Sequence, residues 1–129
     1  MAGTFASAQP IYLQLVDRIC HGIVRGEWRP GDKLPSVRDM AVQAGVNPNT
    51  VQRVYMELER MGIVETRRGQ GTFVTEDGPR LEALREARVR DRIESFVRDM
   101  TEMGIAPEDI LDGVRRALDR KGSDAMEEA

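Results

Sequence analysis

The chain of 129 residues has one cysteine, one histidine, one tryptophan and only 5% aromatic residues, and it lacks a long apolar run. Each scarcity excludes something. A single cysteine cannot build a disulfide framework within the chain, and it fits a reducing compartment. Cys20 and His21 are neighbours, but with no second Cys or His they cannot complete a metal site. Adjacent helical side chains diverge by about 100°, so the two do not form a nucleophile–base pair either. No nucleophile, base and orienter can be assembled, so neither an enzyme (a small hydrolase, for instance) nor a metal or cofactor is expected. No window approaches the roughly 20 apolar residues that a membrane span requires. Residues 1–9 have neither a basic start nor an apolar stretch, so no secretory signal is expected. These absences point to a cytoplasmic protein with no membrane partner. With so few rings, the core has to come from Leu, Ile, Val and Met. Net charge is also small. Nineteen Lys and Arg against 22 Asp and Glu leave −3, which by itself speaks against a polyanionic partner.

What is present is a succession of amphipathic segments with clear punctuation. Pro10 suits a first helical turn. From Ile11 to Arg25, Leu15, Ile19 and Ile23 recur every four residues with Tyr12 and Val16 alongside, and Gly26 ends the pattern. Pro30-Gly31 marks a turn, under which Trp28 is expected to plug the core. Ser36 is placed to cap a helix that runs to about Ala44, with Asp39 in the capping-box position and Val37, Met40 and Ala41 facing inward. Gly45 supplies a left-handed C-cap, and Asn47-Pro48 restarts the chain as cap and first helical residue. Val51, Val54, Tyr55, Leu58 and Met61 then give the cleanest helical stripe, which Gly62 stops. Ile63–Thr66 and Gly71–Val74 read as a hairpin around Arg67-Arg68-Gly69-Gln70. Asp77-Gly78-Pro79 marks a boundary. Beyond it lie a long charged helix from Arg80 to Met103 and a second helix from Pro107. Met40, Met56, Met61, Met100 and Met103 are read as core filler.

The fold expected is mainly α with a small β-hairpin. Residues 10–78 form an N-terminal winged helix-turn-helix, and 79–121 form a two-helix dimerisation arm. A flexible start at 1–9 and a disordered acidic tail at 122–129 complete the chain. In this layout the second helix of the pair enters a DNA major groove. Its opening turns offer Asn47, Asn49, Thr50, Gln52 and Arg53. Asn and Gln can pair with adenine, and Arg with guanine or phosphate. Arg67 and Arg68 sit on a glycine-containing wing suited to gripping phosphate. Ser36 and Arg38 open the preceding helix on the same side.

Several spaced motifs within residues 10–75 resemble the GntR family of bacterial transcription regulators. Gly31-Asp32-Lys33-Leu34-Pro35-Ser36-Val37-Arg38-Asp39-Met40-Ala41 is similar to that family's opening signature, and Gly45-Val46-Asn47-Pro48-Asn49-Thr50-Val51 to its turn and recognition-helix start. Leu58–Glu65 followed by Arg67–Val74 resembles its helix end and wing, and Pro10–Leu15 its usual beginning. The resemblance implies DNA contacts at Arg38, Asn49, Thr50 and Arg53, with Gln70 and Gly71 at the wing tip. Many members carry a basic residue at position 49; Asn49 forgoes a phosphate or guanine contact, which bears on operator preference rather than on DNA binding. The short helical tail resembles the YtrA-like subfamily, whose tail mediates dimerisation and whose members commonly sit beside transporter genes.

After residue 78, 51 residues remain, too few to enclose a metabolite pocket of about 300 Å³. Two isolated amphipathic helices bury little surface alone and gain by pairing with a symmetry mate. Leu84, Ile93, Phe96, Val97, Met100, Ile110, Leu111, Val114 and Leu118 are the expected dimer interface. The reading is therefore a homodimeric transcription regulator, a repressor, on double-stranded DNA with a palindromic operator. The alternative is a winged-helix protein-interaction module without direct DNA readout; a small effector at the dimer interface stays open. Charge is unevenly divided: residues 1–78 hold nine basic and nine acidic side chains, while 79–129 hold ten and thirteen. The acidic excess lies beyond the winged helix, so net charge is no obstacle to DNA.

Overall fold

Four-residue apolar spacing becomes the first helix, α1 (Ile11–Arg25), in the computed structural model, which describes residues 9–128. The expected flexible start lies outside the described residues except for Gln9. Leu15, Val16, Ile19 and Ile23 of α1 are buried, and Gly26 closes the helix. The next helix, α2 (Val37–Ala44), opens as the sequence suggests, with Ser36 Oγ accepting the Asp39 N–H at 3.1 Å. Gly45 follows at φ +68, in the left-handed region. That conformation turns the chain sharply enough for α3 (Pro48–Arg60) to begin almost at once. Asn47 caps α3, its Oδ1 accepting the Asn49 N–H at 2.7 Å. Val51, Val54, Tyr55 and Leu58 form the buried stripe of α3, which packs against α1 and α2.

The wing is an antiparallel pair, β1 (Val64–Arg67) and β2 (Gly71–Val74), with Val64 opposite Val74 and Arg67 opposite Gly71. It starts one residue later than the sequence pattern suggests. Ile63 is buried, and its N–H donates to the Leu58 carbonyl at 3.0 Å, closing α3, while its carbonyl accepts the Thr75 N–H at 2.8 Å just beyond the Val64–Val74 pair. The passage before α2 adds a third edge to the wing. Lys33 bridges to Phe73, and the Leu34 N–H donates to the Thr72 carbonyl at 2.8 Å. Leu34, Leu15, Ile19, Val51, Val54, Leu58 and Val74 are essentially inaccessible and form the centre of the core. Trp28 is half-buried and packs against the edge of the core without joining its fully buried set. Its ring lies so close over α1 that a Cβ at Gly22 would come within 2.6 Å of Trp28 Cζ3.

Two further helices follow, α4 (Gly78–Glu102) and α5 (Pro107–Glu128). The chain divides into two compact units, one reaching to Glu86 and one from Ala87 onward. Three expectations are corrected here. The winged-helix unit does not stop at residue 78. Leu84 is only 8% exposed and joins the core of the first unit, with Leu81 packed against it, so Leu84 does not belong with the dimer residues. The physical reason is placement: Leu81 and Leu84 share one side of the first turns of α4 and are close enough in sequence to the wing to pack onto its core. The tail from Gly122, expected to be disordered, continues as helix to Glu128. Ala125, Met126 and the glutamates are good helix formers, and one Gly costs only about 1 kcal/mol against Ala. Finally, Met56 and Met103 are 69% and 67% exposed and fill no core.

The second unit is built differently from the first. From Ala87 to Met126 no described side chain is fully buried. Ile93, Phe96, Val97, Leu111, Val114 and Leu118 are all exposed apolar residues.

A Cβ at Gly45 would meet no atom within 4 Å, so Gly45→Ala tests backbone conformation alone. The variant should lose about 1–2 kcal/mol of stability. Urea unfolding should show a lower midpoint at an unchanged slope.

Candidate nucleic-acid interface

Because one side of α3 is committed to the core, its remaining residues share an outward face. Asn49, Gln52, Arg53 and Met56 follow at i, i+3, i+4 and i+7, and all four are exposed. This spacing is that of a helix presenting one edge to a groove. Asn49, Gln52 and Arg53, together with Tyr12, Met56, Glu57 and Arg60, line one open concavity of about 630 Å³. A second hollow, about 290 Å³, lies where α3 meets the wing, and Gln52 and Met56 line it with Thr66 and Thr72. Gln52 and Met56 thus stand between helix and hairpin.

The remaining candidates are placed less uniformly. Ser36 and Asn47 are exposed, but their oxygens already accept the backbone N–H groups of α2 and α3. What they still offer is a hydroxyl or amide donor. Thr50 is half-buried, and Arg38 is exposed at the second residue of α2. At the wing tip Arg68 and Gln70 are exposed. Arg67 is held instead: its guanidinium lies over the Phe73 ring at 4.2 Å and bonds Glu65 Oε1 at 2.9 Å. Gly71 has φ +124, and a Cβ there would come within 2.7 Å of Lys33 Cε. Lys33 therefore lies against the wing backbone. It is a basic group of this surface that sequence reasoning passed over, because its position in a turn hid its bridge to Phe73.

Tyr12 and Met56 were missed as well. Arg53 Cζ lies 3.6 Å from the centroid of the Tyr12 ring, a cation–π stack between α3 and α1. Nothing local in the sequence announces a pair 41 residues apart. Met56 could have been found, since it falls off the buried stripe at the same spacing as Asn49 and Gln52. Beside them Arg60 Nε donates to Glu57 Oε2 at 2.9 Å. That hydrogen bond with Arg60, more than its charge, holds the Glu57 carboxyl below the usual range.

The angle of α3 is fixed partly by one polar contact. Tyr55 donates its hydroxyl to the Pro35 carbonyl at 2.7 Å, tying α3 to the start of α2. Burial pushes the Tyr55 phenol well above the ordinary tyrosine range. Among the described residues there is no cluster of His, Cys, Asp and Glu able to hold a metal, and no helix is long and apolar enough to cross a membrane.

A tri-helical core, a short Gly45 turn and a hairpin beside an outward polar helix face define a winged helix-turn-helix protein. The family model described as "Bacterial regulatory proteins, gntR family" matches residues 11–74, and the chain belongs to that family. It is 52% identical over 115 residues to the HTH-type transcriptional regulator YhcF of Bacillus subtilis, covering 89% of this chain and 95% of YhcF. It is 36% identical over 118 residues to the HTH-type transcriptional repressor YtrA of the same organism, covering 90% and 91%. Among solved structures, a GntR family transcriptional regulator from Listeria monocytogenes superposes with a TM-score of 0.81 at 42% identity, covering 87% of this chain and 98% of that one. AraR(DBD), solved in complex with operator ORX1, superposes at 0.52 with 28% identity, over 58% of this chain and 92% of that one. The chain is a transcription regulator of the GntR family, and its family and relatives are regulators, not enzymes.

Tyr55→Phe removes the bond to Pro35 and should lower stability by about 0.5–1.5 kcal/mol. The raised phenol has a second consequence, whose sign follows from linkage. The unfolded chain ionises Tyr55 near pH 10 while the native state keeps the proton, so this contribution is full below pH ~10 and is lost as pH rises further. Denaturant melts at alkaline pH should show that loss in the parent and less of it in Tyr55→Phe.

Proposed function

We propose that this GntR-family regulator acts as a homodimeric repressor on a palindromic operator. Each protomer lays α3 in a major groove, with Asn49, Gln52 and Arg53 toward base edges. Arg38, Arg67, Arg68, Gln70 and Gly71 meet phosphates, and Ser36, Asn47 and Thr50 add donors at the ends of the two helices. One observation carries the reading: the outward face of α3 gathers amide and guanidinium side chains into a single concavity. The operator-bound AraR(DBD) structure supports the same use of the fold. Repression accords with YtrA being a transcriptional repressor. Control of transporter genes is what the YtrA-like resemblance implies, and work on operator DNA implies the cytoplasm.

The dimer is supported by the exposed apolar face of the second unit. Phe96, Met100, Ile110, Val114 and Leu118 line a groove of about 500 Å³ between the C-terminal part of α4 and α5. Arg92, Ile93, Phe96, Val97, Ile110, Leu111 and Val114 line an adjoining one of about 370 Å³. A water-exposed apolar patch of this kind marks an interface, and a second copy of the same unit can cover it with twofold symmetry.

In an anisotropy titration with a duplex enriched from random-sequence DNA, Arg53→Ala should weaken binding by about 1–3 kcal/mol. The logarithm of affinity should fall by about 0.9 per decade of salt for each phosphate neutralised. Undiminished binding by the variant, or a flat salt profile, is inconsistent with the proposed groove contacts.

Phe96→Asp combined with Leu111→Asp should convert the dimer to monomer in sedimentation while the first unit keeps its cooperative melt. Loss of twofold avidity should accompany it, by about 100-fold or more on the full operator. A variant that sediments unchanged argues for another dimer surface.

A further inference from the structure

We propose that Tyr12 is a positioning residue for DNA reading: its ring, carried by α1, holds the Arg53 guanidinium in the orientation in which α3 presents it. The inference rests on the reading of α3 as the base-reading helix and adds to it a residue outside the helix-turn-helix pair. Tyr12 is packed against the core from its place near the start of α1, so the ring is anchored by the fold. Arg53 Cζ lies 3.6 Å from its centroid. Stacking occupies the face of the guanidinium and leaves the in-plane N–H donors at its edge for bidentate bonding. Those donors match the O6 and N7 of guanine, or two phosphate oxygens.

The neighbouring carboxylate does not take over this role. Glu57 lies one turn along the same face, and its field reaches Arg53, but Arg60 engages it through both carboxylate oxygens. A free arginine samples many rotamers and loses that freedom on binding; a ring that restricts it beforehand lowers the entropy lost at the DNA. At the wing a ring also lies under an arginine, Arg67 resting on Phe73 at 4.2 Å, but there Glu65 shares the hold through its Oε1 at 2.9 Å. In a chain with 5% aromatic residues, two rings thus carry arginines of the proposed DNA surface.

The test uses the full chain and a fluorescent duplex that the chain itself enriches from random-sequence DNA. Tyr12→Phe and Tyr12→Trp keep a ring and should bind within about twofold of the parent. Tyr12→Leu should bind about 3- to 30-fold more weakly. Tyr12→Met, which keeps apolar volume without the ring, should behave like Leu and serves if Tyr12→Leu fails to fold. The decisive readout is a double-mutant cycle. In the Arg53→Ala background the penalty of removing the ring should vanish, whereas a merely structural role for Tyr12 would leave it in full. In the free protein, Arg53 side-chain protons should show an upfield ring-current shift in NMR spectra that is lost in Tyr12→Met and kept in Tyr12→Phe. Ring-less variants that bind as the parent does, or a penalty that persists without Arg53, overturn this inference alone. Parent-like binding by Arg53→Ala overturns the base-reading role of α3 at that residue together with it.

Discussion

The apolar seam between α3 and the helices behind it is the constraint on which the rest depends. Val51, Val54 and Leu58 are wholly buried there. Each such side chain contributes about 1.5–3 kcal/mol relative to exposure, more than any single contact on the outer face. The seam therefore sets the rotation of α3. Turning the helix by one residue, about 100°, would bury amide or guanidinium groups without partners. Asn49, Gln52, Arg53 and Met56 face outward because they are what remains once the seam is satisfied. The Tyr55 hydroxyl bond to Pro35 and the Gly45 turn then limit how α3 can tilt against α2.

Electrostatics in this molecule works by placement and not by total charge. The winged-helix region has no net charge, so a uniform field that draws in any polyanion is absent. Arginines are individually oriented instead: Arg53 on Tyr12 and Arg67 on Phe73. The scarcity of aromatics, which first reads only as a statement about the core, acquires a second meaning. Two rings lie beneath basic groups of the proposed DNA surface and restrict their long side chains, Arg67 being ion-paired with Glu65 as well.

The two units divide the energetic work. The first has a closed core of its own. The second exposes most of its apolar side chains, and Phe96, Ile110 and Val114 contribute to both of its grooves. Covering that surface with a second copy, as proposed, would couple folding of the unit to assembly and fix the spacing of two recognition helices.

The sequence by itself determined the helix periodicities, the caps at Ser36 and Asn47, the Gly45 turn and the hairpin, because each follows from interactions among residues a few positions apart. It also singled out Asn49, Gln52 and Arg53, since residues off a clear apolar stripe must face away from the core. Only the tertiary structure assigned Leu84 to the winged-helix core, carried α5 through Gly122, and brought Tyr12 under Arg53 and Lys33 against Gly71. Those outcomes turn on which side chains meet across long stretches of chain. Periodicity records that a residue faces inward, but not which core receives it or which ring lies beneath a given arginine.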